Sequence, residues 1–171
     1  MFALGIDPGV SRCGYGCVTG TGSQLRAVAM GVITTSPADP LPERLAGLAA
    51  ELRGLIEEVQ PETVVVERVF FQTNVRTAMS VGQASGLALA AAARAGCEVV
   101  QYTANEVKQA VAGHGGAAKD QVQRMVQRLL RLPEVPSPPD TADALALAIC
   151  HLTRGPRLAR AAAAAAAGRA R

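Results

Sequence analysis

The sequence lacks any long apolar segment and any segment typical of export. Its most apolar stretch, residues 84–93, is about ten residues long, whereas a helix that crosses a bilayer needs about twenty. Met1 and Phe2 lead directly into an apolar segment, without the basic residues that begin a secretory signal peptide. We therefore expect a cytoplasmic protein that has no membrane partner.

Aromatic residues and cysteines are also scarce, with no tryptophan, two tyrosines, three phenylalanines and four cysteines. The cysteines, Cys13, Cys17, Cys97 and Cys150, are scattered and form no repeated CxxC motif. This spacing argues against a zinc knuckle or a disulfide framework. We expect free thiols, most of them buried.

The chain of 171 residues is long enough for one domain with a full core, and its net charge is only +3. No internal repeat is visible. Residues 154–171 consist mostly of alanine with five arginines and show no core pattern. We predict one domain over residues 1–153 and a disordered tail over residues 154–171.

Apolar patterning predicts an α/β fold with a mixed five-stranded sheet and helices on both of its faces. Strands are expected at residues 2–6, 13–19, 25–34, 64–66 and 97–102, and helices at residues 41–59, 74–95, 104–112, 118–130 and 140–152. Glycine-containing turns between the first three strands favour antiparallel pairing. The consecutive valines at 64–66 are typical of a strand that is covered on both faces.

The second predicted helix carries small residues every four positions, at Ala78, Gly82, Gly86 and Ala90. Glycine destabilises a helix, so two glycines on one face need a structural reason. Two interpretations stay open from the pattern alone: the stripe packs against the protein's own sheet, or it forms a helix–helix seam in a dimer.

Two predicted strands end in a carboxylate, Asp7 and Glu67. Asp7 begins an Asp-Pro-Gly sequence that could be only a turn. Glu67 follows three valines, and an acid at the end of a buried strand must be paired or bound to metal. Arg68 is an alternative partner, although adjacent strand residues point to opposite faces.

Asp140 and Asp143 lie three residues apart at the start of the last predicted helix. Asp140 is expected as its N-cap and Asp143 as a first-turn acid favoured by the helix dipole, which would by itself explain both. Residues three apart also share one helix face, so both could meet the other two acids.

Four carboxylates gathered at one place repel one another unless cations neutralise them, and two hard divalent ions are suitable. Such a site favours metal-assisted phosphodiester hydrolysis, and therefore predicts a nuclease. The phosphate loop of actin-like kinases is the other use of a strand-Asp-x-Gly motif, but it requires a far larger two-lobed protein.

Basic residues are grouped in the later helices, at Lys108, Lys119, Arg124, Arg128 and Arg131. Each could be an ordinary surface residue, but the group predicts a track for phosphates. Phe70 and Phe71 follow Glu67 closely, and an exposed ring there could stack on an unpaired base.

Taken together, these motifs resemble the RuvC family of bacterial Holliday junction resolvases, which have a ribonuclease H-like fold. The matching segments are residues 5–9 (GIDPG), 14–16 (GYG), 66–70 (VERVF), 82–86 (GQASG), 107–109 (VKQ), 118–122 (AKDQV) and 140–146 (DTADALA). They occur in order from residue 2 to about residue 153. Arg68 and Thr73 depart from the family pattern, and the tail has no counterpart.

The resemblance implies a homodimer that binds four-way junction DNA and nicks two opposed strands with Mg²⁺, or with Mn²⁺ in its place. It implies two ions per active site and products with 5′-phosphates, and it assigns Asp7, Glu67, Asp140 and Asp143 as catalytic metal ligands. The candidate DNA contacts are Phe70, Phe71, Arg76, Lys108 and Lys119. It further implies cooperation with the RuvA–RuvB branch-migration complex, and a dimer seam at the Gly82 stripe. A related nuclease for RNA or RNA–DNA hybrids and a non-catalytic junction-binding dimer remain alternatives.

Overall fold

A computed structural model describes residues 1–22, 24–68 and 75–169, with the backbone alone for residues 75–77 and 156–169. Its strands are β1 (Phe2–Asp7), β2 (Arg12–Thr21), β3 (Gln24–Thr34), β4 (Thr63–Glu67) and β5 (Glu98–Tyr102). They form one sheet in the order β3-β2-β1-β4-β5, in which β1, β2 and β3 are antiparallel and β1, β4 and β5 are parallel. The predicted mixed five-stranded sheet is confirmed.

The described helices are α1 (Leu41–Val59), α2 (Val75–Arg94), α3 (Ala104–Ala112), α4 (Lys119–Leu130) and α5 (Pro139–Arg169). A capping box between Thr103 and Glu106 begins α3, and Gly113 with a positive φ ends it. The predicted bounds agree to within a residue or two, except at the end of α5, which continues beyond residue 152 to Arg169. The division of the chain into a domain of residues 1–153 and a tail of residues 154–171 stays a prediction.

Helices cover both faces of the sheet and enclose two cores. Val65 packs in the core shared with α3, α4 and α5, whereas Val64 and Val66 pack in the core shared with α1 and α2. Successive strand residues point to opposite faces of the sheet. Because helices cover both faces, all three valines are fully buried. The two-sided burial predicted for this strand is confirmed.

Helix α5 lies unusually close to β1 and β2 because glycines replace side chains beneath it. A Cβ atom added to Gly5 would collide with the carbonyl oxygen of Ala144, and one added to Gly14 would collide with that of Asp140. A Cβ on Gly16 would come within 2.7 Å of the Leu145 side chain. These glycines bring the start of α5 down onto the sheet.

The small-residue stripe of α2 faces away from the sheet. Gly82, Gly86 and Ala90 are exposed and Ala78 is half-buried, whereas Ala84 and Ala88 are buried in the core. A Cβ on either glycine would meet no atom within 4 Å. The stripe therefore does not pack onto the protein's own sheet, and the first of the two interpretations is wrong.

Three of the four cysteines, Cys13, Cys17 and Cys150, are buried free thiols, and Cys97 is half-buried. Within the described parts of the chain, no helix is both long and apolar enough to span a bilayer.

Candidate active site

The first two acids meet because their strands are neighbours. In the parallel β1–β4 ladder, Ile6 lies opposite Val66, so Asp7 and Glu67 come next at the same edge of the sheet. Both strands are buried up to that point and both acids are partly buried. The two carboxylates therefore lie side by side at the carboxyl ends of neighbouring parallel strands, where ligands bind in open α/β sheets.

The other two acids arrive on α5. Gly14 lies opposite Asp7 in the β1–β2 ladder, and it is also the residue on which Asp140 packs. Asp140 therefore lies beside Asp7, and Asp143 follows almost one helical turn later on the same side of α5. The structure thus brings together carboxylates from three distant segments, as their sequence context suggested.

Asp140 does not cap the helix. Helix α5 begins at Pro139, so Asp140 lies in its first turn, and its carboxylate accepts a hydrogen bond from Arg12 Nε. The predicted N-cap role was wrong because Pro138 and Pro139 shift the start of the helix by one residue: proline is well suited to the first helical position.

Three of the acids line a cleft of about 380 Å³ together with two lysines. The charged residues of its wall are Asp7, Glu67, Asp143, Lys108 and Lys119, and apolar residues of α3, α4 and α5 complete it. Three carboxylates and two lysines therefore line the same cleft. Such a set of groups can hold metal ions and contact a phosphate.

Burial and mutual repulsion raise the pKa of two of the acids, Asp7 and Glu67. Desolvation, followed by the charges of Asp143, Glu67 and Asp140, raises the pKa of Asp7 from 3.8 to about 7, with Lys119 opposing the rise. Desolvation and then Asp143 also raise the pKa of Glu67. A cation beside these carboxylates would favour their ionised forms.

Two side-chain cations engage the acids. Lys119 donates a hydrogen bond to Asp143 (Nζ–Oδ2 2.7 Å), and this bond is the main cause of its raised pKa. Arg12 contacts Asp140 through two nitrogens. Arg68, the alternative partner of Glu67, instead reaches the carbonyl oxygen of Gln101.

Sequence reasoning missed Arg12, because nothing in its local context distinguishes it from a solvated arginine after a turn. Its partner is 128 residues away along the chain. The close packing of Gly5 and Gly14 against α5 does not follow from the sequence either, because the Gly-Tyr-Gly motif does not show which element packs on it.

The donor chemistry fits hard divalent cations, since four carboxylates supply only oxygen ligands. Across the described residues, no three carboxylate, imidazole or thiol groups converge on one metal position. Lys119 contacts Asp143 and Arg12 contacts Asp140 in this arrangement, and the four carboxylates must move closer together to share an ion. The residue types therefore suit divalent cations, and the carboxylate side chains must move to enclose an ion.

The predicted DNA contacts can be placed in part. Lys108 and Lys119 both line the cleft. Phe70 and Phe71 lie outside the described residues, and for Arg76 only the backbone, near the start of α2, is described.

Comparison with known sequences identifies close relatives over nearly the whole chain. The profile of the family described as crossover junction endodeoxyribonuclease RuvC matches residues 3–151. A protein of that name from Chloroflexus aggregans is 53% identical over 160 residues, covering 94% of this chain and 98% of the relative. Another, from Salinispora arenicola, is 55% identical over 166 residues, covering 96% and 95%.

Solved structures give the same result. Thermus thermophilus RuvC superposes with a TM-score of 0.84 at 41% identity, covering 92% of this chain and 96% of that one. T. thermophilus RuvC in complex with a Holliday junction substrate gives 0.86 at 41% identity, covering 91% and 94%. The yeast mitochondrial Holliday junction resolvase, at 14% identity and a TM-score of 0.62, covers 88% of this chain and 78% of its own length and shares the fold.

Proposed function

The chain belongs to the RuvC family of crossover junction endodeoxyribonucleases, and we propose that it resolves four-way DNA junctions by nicking two opposed strands. The observation that carries this proposal is the cleft in which Asp7, Glu67 and Asp143 face Lys108 and Lys119. Carboxylates for metal ions beside cations for a phosphate are what hydrolysis of a phosphodiester requires.

The cofactor is proposed to be Mg²⁺, two ions per active site, with Mn²⁺ able to substitute. Asp7, Glu67, Asp140 and Asp143 would hold them. When bound, the ions would activate a water molecule for in-line attack and stabilise the leaving 3′-oxygen, so that products carry 5′-phosphates.

The chain's own residues prepare the cleft for this chemistry. Burial and then all three other acids raise the pKa of Asp7, so a cation bound beside it would favour its ionised form. Burial and the charge of Asp143 raise the pKa of Glu67, and the charges of Lys119 and Lys108 oppose that rise only in part. The same lysines, which line the cleft, are proposed to contact phosphates of the DNA. Phe70, Phe71 and Arg76 are proposed as further contacts with junction DNA.

A homodimer is proposed because two opposed nicks require two active sites. The exposed stripe of Gly82, Gly86 and Ala90 on α2 supports this, since small side chains let two helix backbones approach closely. A family member of this kind would act in the cytoplasm on chromosomal DNA and receive junctions from the RuvA–RuvB complex. Both of these are proposals from the family.

The proposal is tested by incubating the protein with a mobile four-way junction, a linear duplex of the same sequence and an RNA–DNA hybrid. Each substrate is tested with Mg²⁺, with Mn²⁺ and with EDTA. We expect paired nicks in the junction alone, only with metal, and ligatable ends. Cleavage of the hybrid in preference to the junction would favour a ribonuclease. Junction binding without cleavage under any metal condition would favour a non-catalytic dimer.

A further inference from the structure

Arg12 reaches into the acid cluster from outside the cleft. It is the first residue of β2, and its Nε and Nη2 lie 3.1 and 3.0 Å from one oxygen of Asp140, Oδ2. The side chains are 49% and 28% exposed. Both nitrogens contact the same oxygen, and within the described residues no hydrogen bond reaches the other carboxylate oxygen of Asp140, Oδ1.

The segment that carries Arg12 is itself held in place. Arg44 of α1 donates to the hydroxyl of Ser11 (2.6 Å) and to that of Thr35 (2.9 Å). Thr35 in turn donates to the carbonyl oxygen of Val10 through its hydroxyl (2.7 Å) and to that of Ser11 through its backbone amide (3.2 Å). The turn between Asp7 and Arg12 is thus fixed to α1.

Asp140 is fixed in its backbone but not in its side chain. The absence of a side chain at Gly14 lets the backbone of Asp140 rest against β2. The carboxylate of Asp140 could still adopt several rotamers. Contact of two guanidinium nitrogens with Oδ2 favours the rotamers that keep this oxygen beside Arg12.

We propose that Arg12 is a positioning residue for the metal site: it orients the carboxylate of Asp140 so that its free oxygen can bind a metal ion. This inference rests on the proposed function. Groups that orient metal ligands in this way commonly change metal affinity by about tenfold to a hundredfold. An exposed ion pair contributes little to stability, so the role is separable from a structural one.

The sign of the effect distinguishes orientation from charge. A fixed cation beside the site repels metal ions, so loss of its charge alone would tighten metal binding. If Arg12 orients Asp140, its loss weakens metal binding despite the removed repulsion. Lysine at this position keeps the charge but offers a single point of contact.

The experiment measures Mn²⁺ binding to the full chain by the electron paramagnetic resonance of free Mn²⁺, without DNA. The variants are Arg12→Gln, Arg12→Lys, Asp140→Asn and the double variant Arg12→Gln/Asp140→Asn. The matched control is Arg53→Gln, an exposed arginine of α1 whose Nε donates to the carbonyl of Ala49 and which lies toward the opposite edge of the sheet. Thermal unfolding and junction nicking are measured in parallel.

We expect Arg12→Gln to raise the Mn²⁺ concentration for half-saturation about tenfold or more, and Arg12→Lys not to restore it. Melting temperatures should change by less than about 3 °C, and Arg53→Gln should bind Mn²⁺ as the parent does. In the Asp140→Asn background, Arg12→Gln should change binding by less than about twofold, because a residue that acts through Asp140 has nothing left to orient.

Other results overturn the inference in distinguishable ways. Unchanged or tighter Mn²⁺ binding in Arg12→Gln, full restoration by lysine, or a further loss in the double variant would show that Arg12 does not act by orienting Asp140. Those results would leave the proposed function intact if the parent protein still nicks junctions. A parent protein that binds no Mn²⁺ and nicks no junction would refute the metal site itself, and the inference with it.

Discussion

The acids of the cleft are held in an unfavourable state by their surroundings. Asp7 ends a buried strand, and three other carboxylates lie near it, so burial and repulsion both oppose its ionisation. Lys119 and Arg12 compensate only in part, since each of them contacts a different acid. A site of this kind trades stability for the ability to bind metal.

The unfavourable ionisation of Asp7 should make the stability of the protein depend on pH. Its folded pKa of about 7 exceeds the unfolded value of 3.8, so the unfolded chain releases a proton that the folded chain retains. The free energy of unfolding in EDTA should therefore fall as pH rises from about 4 to about 7. Asp7→Asn should raise it by at least about 1 kcal/mol at pH 8 and have little effect at pH 4.

Urea unfolding at the two pH values measures this difference. Asp39→Asn, in the exposed loop before α1, is the control and should change the free energy of unfolding similarly at both. An Asp7→Asn variant that is less stable than the parent at pH 8 would contradict the account of Asp7.

Residue identity allowed Asp7 and Glu67 to be singled out, because an acid after a buried strand is chemically conspicuous. Arg12 could not be predicted in its role, since the contact with Asp140 depends on how α5 docks on β2. The capping role predicted for Asp140 was wrong for a local reason, the proline that begins α5.

At the scale of elements, the site depends on how closely α5 approaches the sheet. The bounds of the strands and of α1, α3 and α4 could be predicted from the spacing of apolar residues, from the positions of Gly and Pro, and from capping residues. The closeness of α5 was not predicted, because it depends on which face of β1 and β2 the glycines occupy. The exposed face of α2 was likewise decided only by tertiary packing.

Gly14→Ala should separate α5 from β2. The added methyl group would run into the Asp140 carbonyl oxygen and lie 3.1 Å from the Asp140 Cβ, and neither atom is a flexible side-chain end. We expect the free energy of unfolding to fall by about 1–3 kcal/mol and junction nicking to fall with it.

Gly54→Ala is the matched control, measured by the same urea titration. Gly54 lies in α1 with no atom within 4 Å of an added Cβ, so alanine should stabilise the helix by about 0.5–1 kcal/mol. A Gly14→Ala variant as stable and active as the parent would show that α5 can move without affecting the site.

Gly82→Leu tests the proposed dimer seam on α2. No atom lies within 4 Å of a Cβ at Gly82, so leucine should be accommodated in the protomer but should obstruct a second helix. Sedimentation velocity should show weaker dimerisation, and the protomer should be no less stable than the parent. Gly47→Leu, equally open and on α1, should leave the dimer intact; an undiminished dimer in Gly82→Leu would refute the seam.

At the scale of the whole molecule, the sheet edge, the start of α5 and the lysines of α3 and α4 combine into one charged surface. The fold class and the family could be predicted from the sequence because the motifs occur in order over most of the chain. The pairing of Lys119 with Asp143 could not, because it joins α4 to α5 across the cleft.

Lys119→Ala should weaken junction binding in a salt-dependent manner. Loss of one phosphate contact should make the slope of log K against log salt shallower by roughly one unit, equally for different junction sequences. Fluorescence anisotropy at several salt concentrations measures the slope, with Arg53→Ala as the control that should not change it. An unchanged slope in Lys119→Ala would place this lysine away from the phosphates.

The most direct test of the central claim, that these acids form a metal site for junction cleavage, is Glu67→Gln. Glutamine keeps the size of the side chain and replaces an anionic oxygen with an amide, which hard cations bind less well. With Mg²⁺ and a mobile four-way junction, the account predicts a folded protein that binds the junction at least as tightly as the parent but nicks it slower by orders of magnitude. Nicking at close to the parental rate would contradict the account.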